Sequence, residues 1–171
     1  MRKKNTKGFT LIELLVVIAI IAVLAAIIFI SLGRSSDSAK YARAKSDLRA
    51  IHDAVEVMYN DTGEYPNHFP ENPCVDTTVG NEIPMTDCAA GIQCEDGSFT
   101  AWAGPYIGIV PQDPWGNDYH IDYDFDCFTG VPGCEDVPDG TTVRALVSFG
   151  PNGNGINNFN DTDDQVLVMC Q

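Results

Sequence analysis

Positive charge nearly disappears after the first third of this chain: beyond Ala50, Arg144 stands alone against 21 acidic residues. A surface of that sign repels phosphate backbones, so no nucleic-acid partner is expected. Zinc-type ligand spacing is missing as well, because no Cys-x-x-Cys occurs and His52, His68 and His120 are scattered. Ser148 lies outside any Gly-x-Ser-x-Gly elbow, no Cys–His spacing suggests a nucleophile, and no carboxylate pair defines a cleft. The sequence therefore predicts no enzyme. Trp102 and Trp115, the two tryptophans, sit near glycine and proline and read as core plugs or turn anchors rather than as a sugar platform.

What the chain does have is an apolar amino-terminal run. From Leu14 to Ile30 every residue is apolar, 17 in a row. A helix from Phe9 to Leu32 would reach about 36 Å, enough to cross a bilayer core. Arg2, Lys3, Lys4 and Lys7 precede it without an acid, so the leader is expected to stay in the cytoplasm and the remainder to face outward. Glu13 is the anomaly, since an ionised carboxylate beside hydrocarbon is costly unless it is paired. Cutting after Gly8 would create a partner, because the new amino group on Phe9 lies one helical turn from Glu13. A secretory signal peptide would be cut after its apolar stretch, but the small-x-small exit from Ala22 to Ala26 is surrounded by further apolar residues. An uncleaved anchor would leave Glu13 without its amine.

The segment KGFTLIELLVVIAIIAVLAA resembles the class III signal of type IV prepilins and type II secretion pseudopilins. That resemblance implies processing at Gly8, methylation of Phe9 and a register role for Glu13.

The remaining organisation follows from periodicity. Tyr41, Ala44, Leu48, Ile51, Val55 and Met58 recur at steps of three and four, which predicts that the helix becomes one-faced and docks on the chain's own sheet. Gly63, with Tyr65 and Pro66 behind it, ends the helix. The expected segments are a leader at 1–8, a membrane and filament-core helix at 9–33, an amphipathic continuation at 34–62 and a head at 63–171. Residues 66–116 read as a connecting region stapled by disulfides rather than by a packed core. Tyr119, Ile121, Tyr123 and Phe125 alternate with Asp118, His120, Asp122 and Asp124, predicting a strand with one buried face. The acidic row reads as a solvated edge, with a second cation site as the alternative. Val143, Ala145, Val147 and Phe149 form a second strand and 166–169 a third, giving an α+β fold with a small antiparallel sheet under the helix.

All six cysteines, Cys74, Cys88, Cys94, Cys127, Cys134 and Cys170, fall in a head placed in an oxidising compartment, so up to three disulfides are expected. The short Cys127–Cys134 spacing favours a local pair, and Cys170 could tether the terminus. Sequence leaves the other pairings open.

AKSDLRAIHDAVEVMYNDTGEYP, GPYIGIVPQDPWGNDYHI and VSFGPNGN with DTDDQV resemble the helix, the Asp-Pro-Trp-Gly-Asn turn and the C-terminal loop of the major pseudopilin of type II secretion systems. Two departures stand out: Ile30 replaces a proline common in that family, and the cysteine-bearing stretch near 70–103 is longer. Taken alone, the loop after Ser148 reads equally as an Asx-rich turn or as an oxygen-rich ring for a hard cation. The resemblance implies calcium, held by Asn152, Asp161, Asp163 and Asp164, with Asn152 standing where an aspartate is usual.

The expected protein is thus a structural subunit that polymerises with its own copies into a pilus-like filament, by its resemblance the major pseudopilin of a type II protein secretion system. Its expected partners are a prepilin peptidase, an inner-membrane assembly platform, minor pilins or pseudopilins, and the bacterial inner membrane, with the head in the periplasm or outside. Two alternatives share parts of this reading: a type IV pilin for motility, adhesion or DNA uptake, and a membrane-tethered, calcium-dependent binding module.

Overall fold

The computed structural model describes residues 9–71, 73–76, 82–154 and 163–170, with the side chains of 26–35 outside that description. Helix α1 runs Leu11–Thr62. Gly63 stops it by adopting φ +75°, a conformation that costs glycine nothing, while its N–H returns to the Tyr59 carbonyl at 2.8 Å. The chain divides into two compact units, Met1–Ala39 and Lys40–Gln171.

In the first unit the large apolar side chains from Phe9 to Leu24 are 46% to 88% exposed. Among the described residues no helix is long and apolar enough to cross a membrane. The apolar run of the sequence continues into 26–30, whose side chains lie outside the described set.

In the second unit most of the predicted stripe is buried: Ala44, Leu48, Ile51, Val55 and Met58 are all 0% or 1% exposed, while Tyr41 is half-buried. It packs against a four-stranded antiparallel sheet in the order β1 (Ile83–Pro84), β2 (His120–Cys127), β3 (Thr141–Ser148), β4 (Gln165–Cys170). Tyr119, Ile121, Tyr123 and Leu146 share the core with the helix.

Strand β2 departs from the simple alternation. Its pairing with β3 shifts between Asp122 and Phe125, a bulge that reverses which side chains face the helix. Phe125 and Cys127 consequently join a second cluster with Val143, Ala145, Val147 and Val166. Neighbouring residues on a strand point to opposite faces, so this second cluster lies across the sheet from the helix. The loop closed by Cys127–Cys134 covers it with Val131, and Val137, just beyond that loop, packs beside it. That cover corrects the expected solvated acidic row: Asp122 pairs with Ala145 on the covered face and is only 2% exposed.

The connecting region also differs from expectation. It contributes Met85, Ala90, Ile92, Phe99 and Val110 to the main core, in addition to its disulfides. The remaining bridges are Cys88–Cys94 and Cys74–Cys170, the latter joining the region to β4. Trp102 donates its Nε1 hydrogen to the Gly91 carbonyl at 2.6 Å, and Trp115 packs its ring 4.9 Å from that of Tyr41 on α1.

Candidate functional site

Two places carry the chemistry anticipated from the sequence. The first is the start of α1. Thr10 is its N-cap, and Glu13 reaches back to it: the Thr10 N–H donates to Glu13 Oε2 at 2.9 Å and the Thr10 hydroxyl donates to the same oxygen at 2.7 Å. The Glu13 N–H in turn donates to Thr10 Oγ1 at 3.3 Å. This reciprocal arrangement is a capping box, signalled in the sequence by Thr-x-x-Glu ahead of an apolar run. In the unprocessed chain, where Phe9 has no free amine, Thr10 therefore occupies the carboxylate. Phe9 itself is 79% exposed, and Gly8 lies outside the described residues.

The second place is the C-terminal loop and its support. Asp113 and Asn117 begin and end a tight turn in which Asp113 Oδ1 accepts the Trp115 and Asn117 N–H groups at 3.0 and 2.8 Å. Asn117 Nδ2 then donates across 33 residues to the Gly150 carbonyl at 2.8 Å. Gly150 is needed for close approach, since a Cβ there would overlap the Asp163 carbonyl. The two stems of the loop thus touch. Asn152 joins them again: its Nδ2 donates to Asp163 Oδ1 at 2.9 Å, while its Oδ1 accepts the Asn154 N–H at 2.7 Å. Asp164, only 1% exposed, adjoins Asp163. Of the four expected ligands, Asn152 and Asp163 are brought into contact and Asp164 follows directly in the chain. Asp161 lies outside the described residues.

A third group gathers on the sheet, where one carboxylate oxygen from each of Glu82, Asp122 and Asp124 falls within 4.8 Å of the others. Asp122 Oδ1 accepts the Asp124 N–H at 2.9 Å. Burial first, then the neighbouring Asp124 and Glu82 carboxylates, push the Asp122 carboxyl up to about 7.

Comparison with known proteins places this geometry. Residues 3–29 match the prokaryotic N-terminal methylation motif, and residues 86–130 match protein G of the type II secretion system. The type II secretion system core protein G of Klebsiella michiganensis is 31% identical over 145 residues, covering 80% of this chain and 93% of that one. The chain belongs to the type II secretion core protein G family. The Aeromonas hydrophila member is 32% identical over 121 residues, covering 71% and 76% of the two chains. The Vibrio cholerae member is 29% identical over 167 residues, covering 96% and 98%. Among solved structures, the major pseudopilin from the type 2 secretion system of enterohaemorrhagic Escherichia coli aligns at 20% identity with a TM-score of 0.46, covering 77% of this chain and 85% of that one.

As a member of that family, the chain is a pilin-like filament subunit of type II secretion. Sequence reasoning missed three of its working residues. Thr10 was visible in the capping-box spacing. The Asn117 amide could be guessed only in part, from the turn motif, because its acceptor lies 33 residues away. Ser148, whose hydroxyl donates to Asp113 Oδ2 at 2.7 Å, carried no local signal at all.

Proposed function

We propose that this chain is made as a prepilin in the inner membrane, cut by a prepilin peptidase after Gly8, methylated on Phe9, and built by an inner-membrane platform into a homopolymer that minor pseudopilins accompany. Its role is structural rather than enzymatic. One observation carries the reading: an exposed apolar helix surface from Leu11 to Leu24 interrupted by a single carboxylate. Such a surface needs lipid or other copies of itself around it. Polymerisation exchanges one apolar surrounding for the other. The capping box supplies the order of events, because Thr10 shelters Glu13 until processing frees a cationic terminus on Phe9 to compete for it. Register follows, since a subunit shifted along the axis would leave that charge unmatched.

The head is proposed to bind calcium in its C-terminal loop. The donor set fits a hard cation: Asp163 and Asp164 abut, the Gly150 cradle lets the stems meet, and the Asn152 carboxamide, whose N–H now meets Asp163, would have to turn its oxygen inward to act as a ligand. Bound there, the ion would neutralise adjoining carboxylates and hold the loop in a shape competent for assembly.

Glu13→Ala tests the filament reading. The expected result is normal membrane insertion and leader removal, read by mass spectrometry of the amino terminus, with no filaments by electron microscopy on overexpression. Wild-type protein that keeps its leader and stays monomeric would overturn it.

A further inference from the structure

The Cys74–Cys170 disulfide differs from its two companions in what surrounds it. Cys127 and Cys134 are 0% and 5% exposed inside the second cluster. Cys88 and Cys94 are half-buried but close only a short loop of their own. Cys74 and Cys170 are half-buried too, and both line a cavity of about 470 Å³ together with Arg144, His52, Glu56 and Glu71. Arg144 links the two cysteines. It is the cross-strand partner of Cys170 in the β3–β4 ladder, and its Nε donates to the Cys74 carbonyl at 2.9 Å. Nη2 serves the Pro70 and Pro73 carbonyls, which leaves Nη1 with no hydrogen bond among the described residues. A permanently charged guanidinium, 1% exposed, thus adjoins this bridge with donors to spare.

We propose that Cys74–Cys170 is an exchangeable bridge, opened and reclosed on the folded head by a dithiol that enters this cavity. One thiolate of the dithiol attacks a bridge sulfur and forms a mixed disulfide, while the other bridge sulfur leaves as a thiolate near Arg144. The second sulfur of the dithiol then attacks the mixed disulfide and releases the remaining cysteine. Two electrons pass to the bridge, the dithiol becomes a disulfide, and its two protons end on Cys74 and Cys170. A disulfide reagent runs the sequence backwards. A neighbouring cation lowers the pKa of a thiol, and a thiolate of lower pKa is the better leaving group. Arg144 also holds the carbonyls of Pro70, Pro73 and Cys74 whether or not the sulfurs are joined, so the open form keeps its cysteines close enough to pair again. Glu56 and Glu71 supply selectivity, because their carboxylates oppose an anionic thiol at the same cavity. An uncharged dithiol is preferred. Opening would free the end of β4 from the connecting region, which makes this bridge a redox-adjustable fastening. Neither the filament nor the calcium reading enters this chemistry.

The full-length chain in detergent micelles provides the test. Dithiothreitol is added at pH 8, samples are quenched with an alkylating agent at intervals and mapped by mass spectrometry, and tryptophan fluorescence follows the fold. We expect Cys74 and Cys170 to be alkylated at least about tenfold faster than Cys127 and Cys134, with native fluorescence kept and closure restored by a disulfide reagent. Glutathione at equal thiolate concentration should be slower, and Glu56→Gln combined with Glu71→Gln should narrow that gap. In the opened protein, the pH dependence of alkylation should place at least one of the two thiols below the ordinary cysteine range. Arg144→Lys should retain that shift and Arg144→Met should abolish it. Should Arg144→Met fail to fold, the wild-type titration decides alone.

Loss of native fluorescence in step with the opening of Cys74–Cys170 overturns the proposal. So does a wild type in which Cys88–Cys94 opens while Cys74–Cys170 stays shut, or one in which both released thiols titrate in the ordinary cysteine range.

Discussion

Ser148 donates its hydroxyl hydrogen to Asp113 Oδ2 at 2.7 Å, joining the end of β3 to a turn 35 residues earlier in the chain. Asp113 is only 4% exposed, and its other oxygen is engaged by two backbone N–H groups. The carboxylate is thus a hub: it shapes the Asp113–Asn117 turn with one oxygen and anchors the loop-bearing strand with the other.

The hub predicts an asymmetry between its two partners. Ser148→Ala removes one donor and leaves the rest in place, which should cost about 1 kcal/mol. Asp113→Ala strands two backbone N–H groups and a buried hydroxyl together, which should cost about 3 kcal/mol or more. Chemical denaturation of the two variants measures the difference. Equal losses would mean that the turn holds itself together without the carboxylate.

How far the sequence led depended on whether a feature was local. Tyr41 to Met58 form a repeating pattern set by the helical period, and of its predicted positions Ala44 to Met58 are buried while Tyr41 is half-buried. The Cys127–Cys134 bridge spans seven residues, close enough for spacing to suggest it. Asp122 went the other way. A strand read by alternation puts it on the face away from the helix, as found, but a bulge brings Phe125 and Cys127 onto that face and the loop after Cys127 covers it, and no residue type there announces either. The same limit applies to Asn117 and Gly150, or to Asn152 and Asp163, whose meetings depend on how loops return. Glu13 is a separate case. Its spacing from Thr10 is legible as a capping box, and Thr10 rather than the future amine is its partner in the unprocessed chain.

Arg144 illustrates how an isolated charge can be structural. The side chain is 1% exposed and donates from Nε to the Cys74 carbonyl at 2.9 Å and from Nη2 to the Pro70 and Pro73 carbonyls at 3.0 and 3.1 Å. Its guanidinium also lies 4.5 Å from the Tyr65 ring centre and 4.9 Å from that of Tyr123. A planar fork can serve several carbonyls at once while stacking on aromatic faces; an ammonium cannot. Arg144→Lys should therefore destabilise the head by about 2 kcal/mol although charge is conserved. It should also speed reduction of Cys74–Cys170, because the segment bearing Cys74 loses its clamp. Unchanged denaturation and unchanged reduction kinetics would assign the fixing of that segment to the disulfide alone.

Proton uptake is the last consequence, and its sign runs against what so acidic a chain suggests. Burial holds the Asp122 carboxyl well above its ordinary range, to about 7, so the folded state binds a proton that the unfolded chain releases. His68 is raised too, chiefly by Asp96, whose Oδ2 lies 3.0 Å from Nε2, and also by Glu64, whose Oε2 lies 2.8 Å from Nδ1. Both groups are raised on folding, so both contribute stability that is lost with rising pH. For Asp122 the loss runs from the ordinary carboxylate range up to about 7. For His68 it begins at the ordinary histidine range and continues to its raised folded value. Asp96, lowered by the same pair, works oppositely and only in acid. Burial lowers His120, which works against Asp122 and His68 in weak acid; the larger Asp122 shift decides the sign, so the head should melt higher at pH 5 than at pH 8. Asp122→Asn, which keeps the shape and removes the titration, should raise the pH 8 midpoint by roughly 3–6 °C and flatten the profile. His68→Gln should remove the remaining decline above neutrality. A midpoint that climbs steadily from pH 5 to pH 8 would mean that Asp122 ionises freely, and that its burial on the covered face costs the fold nothing.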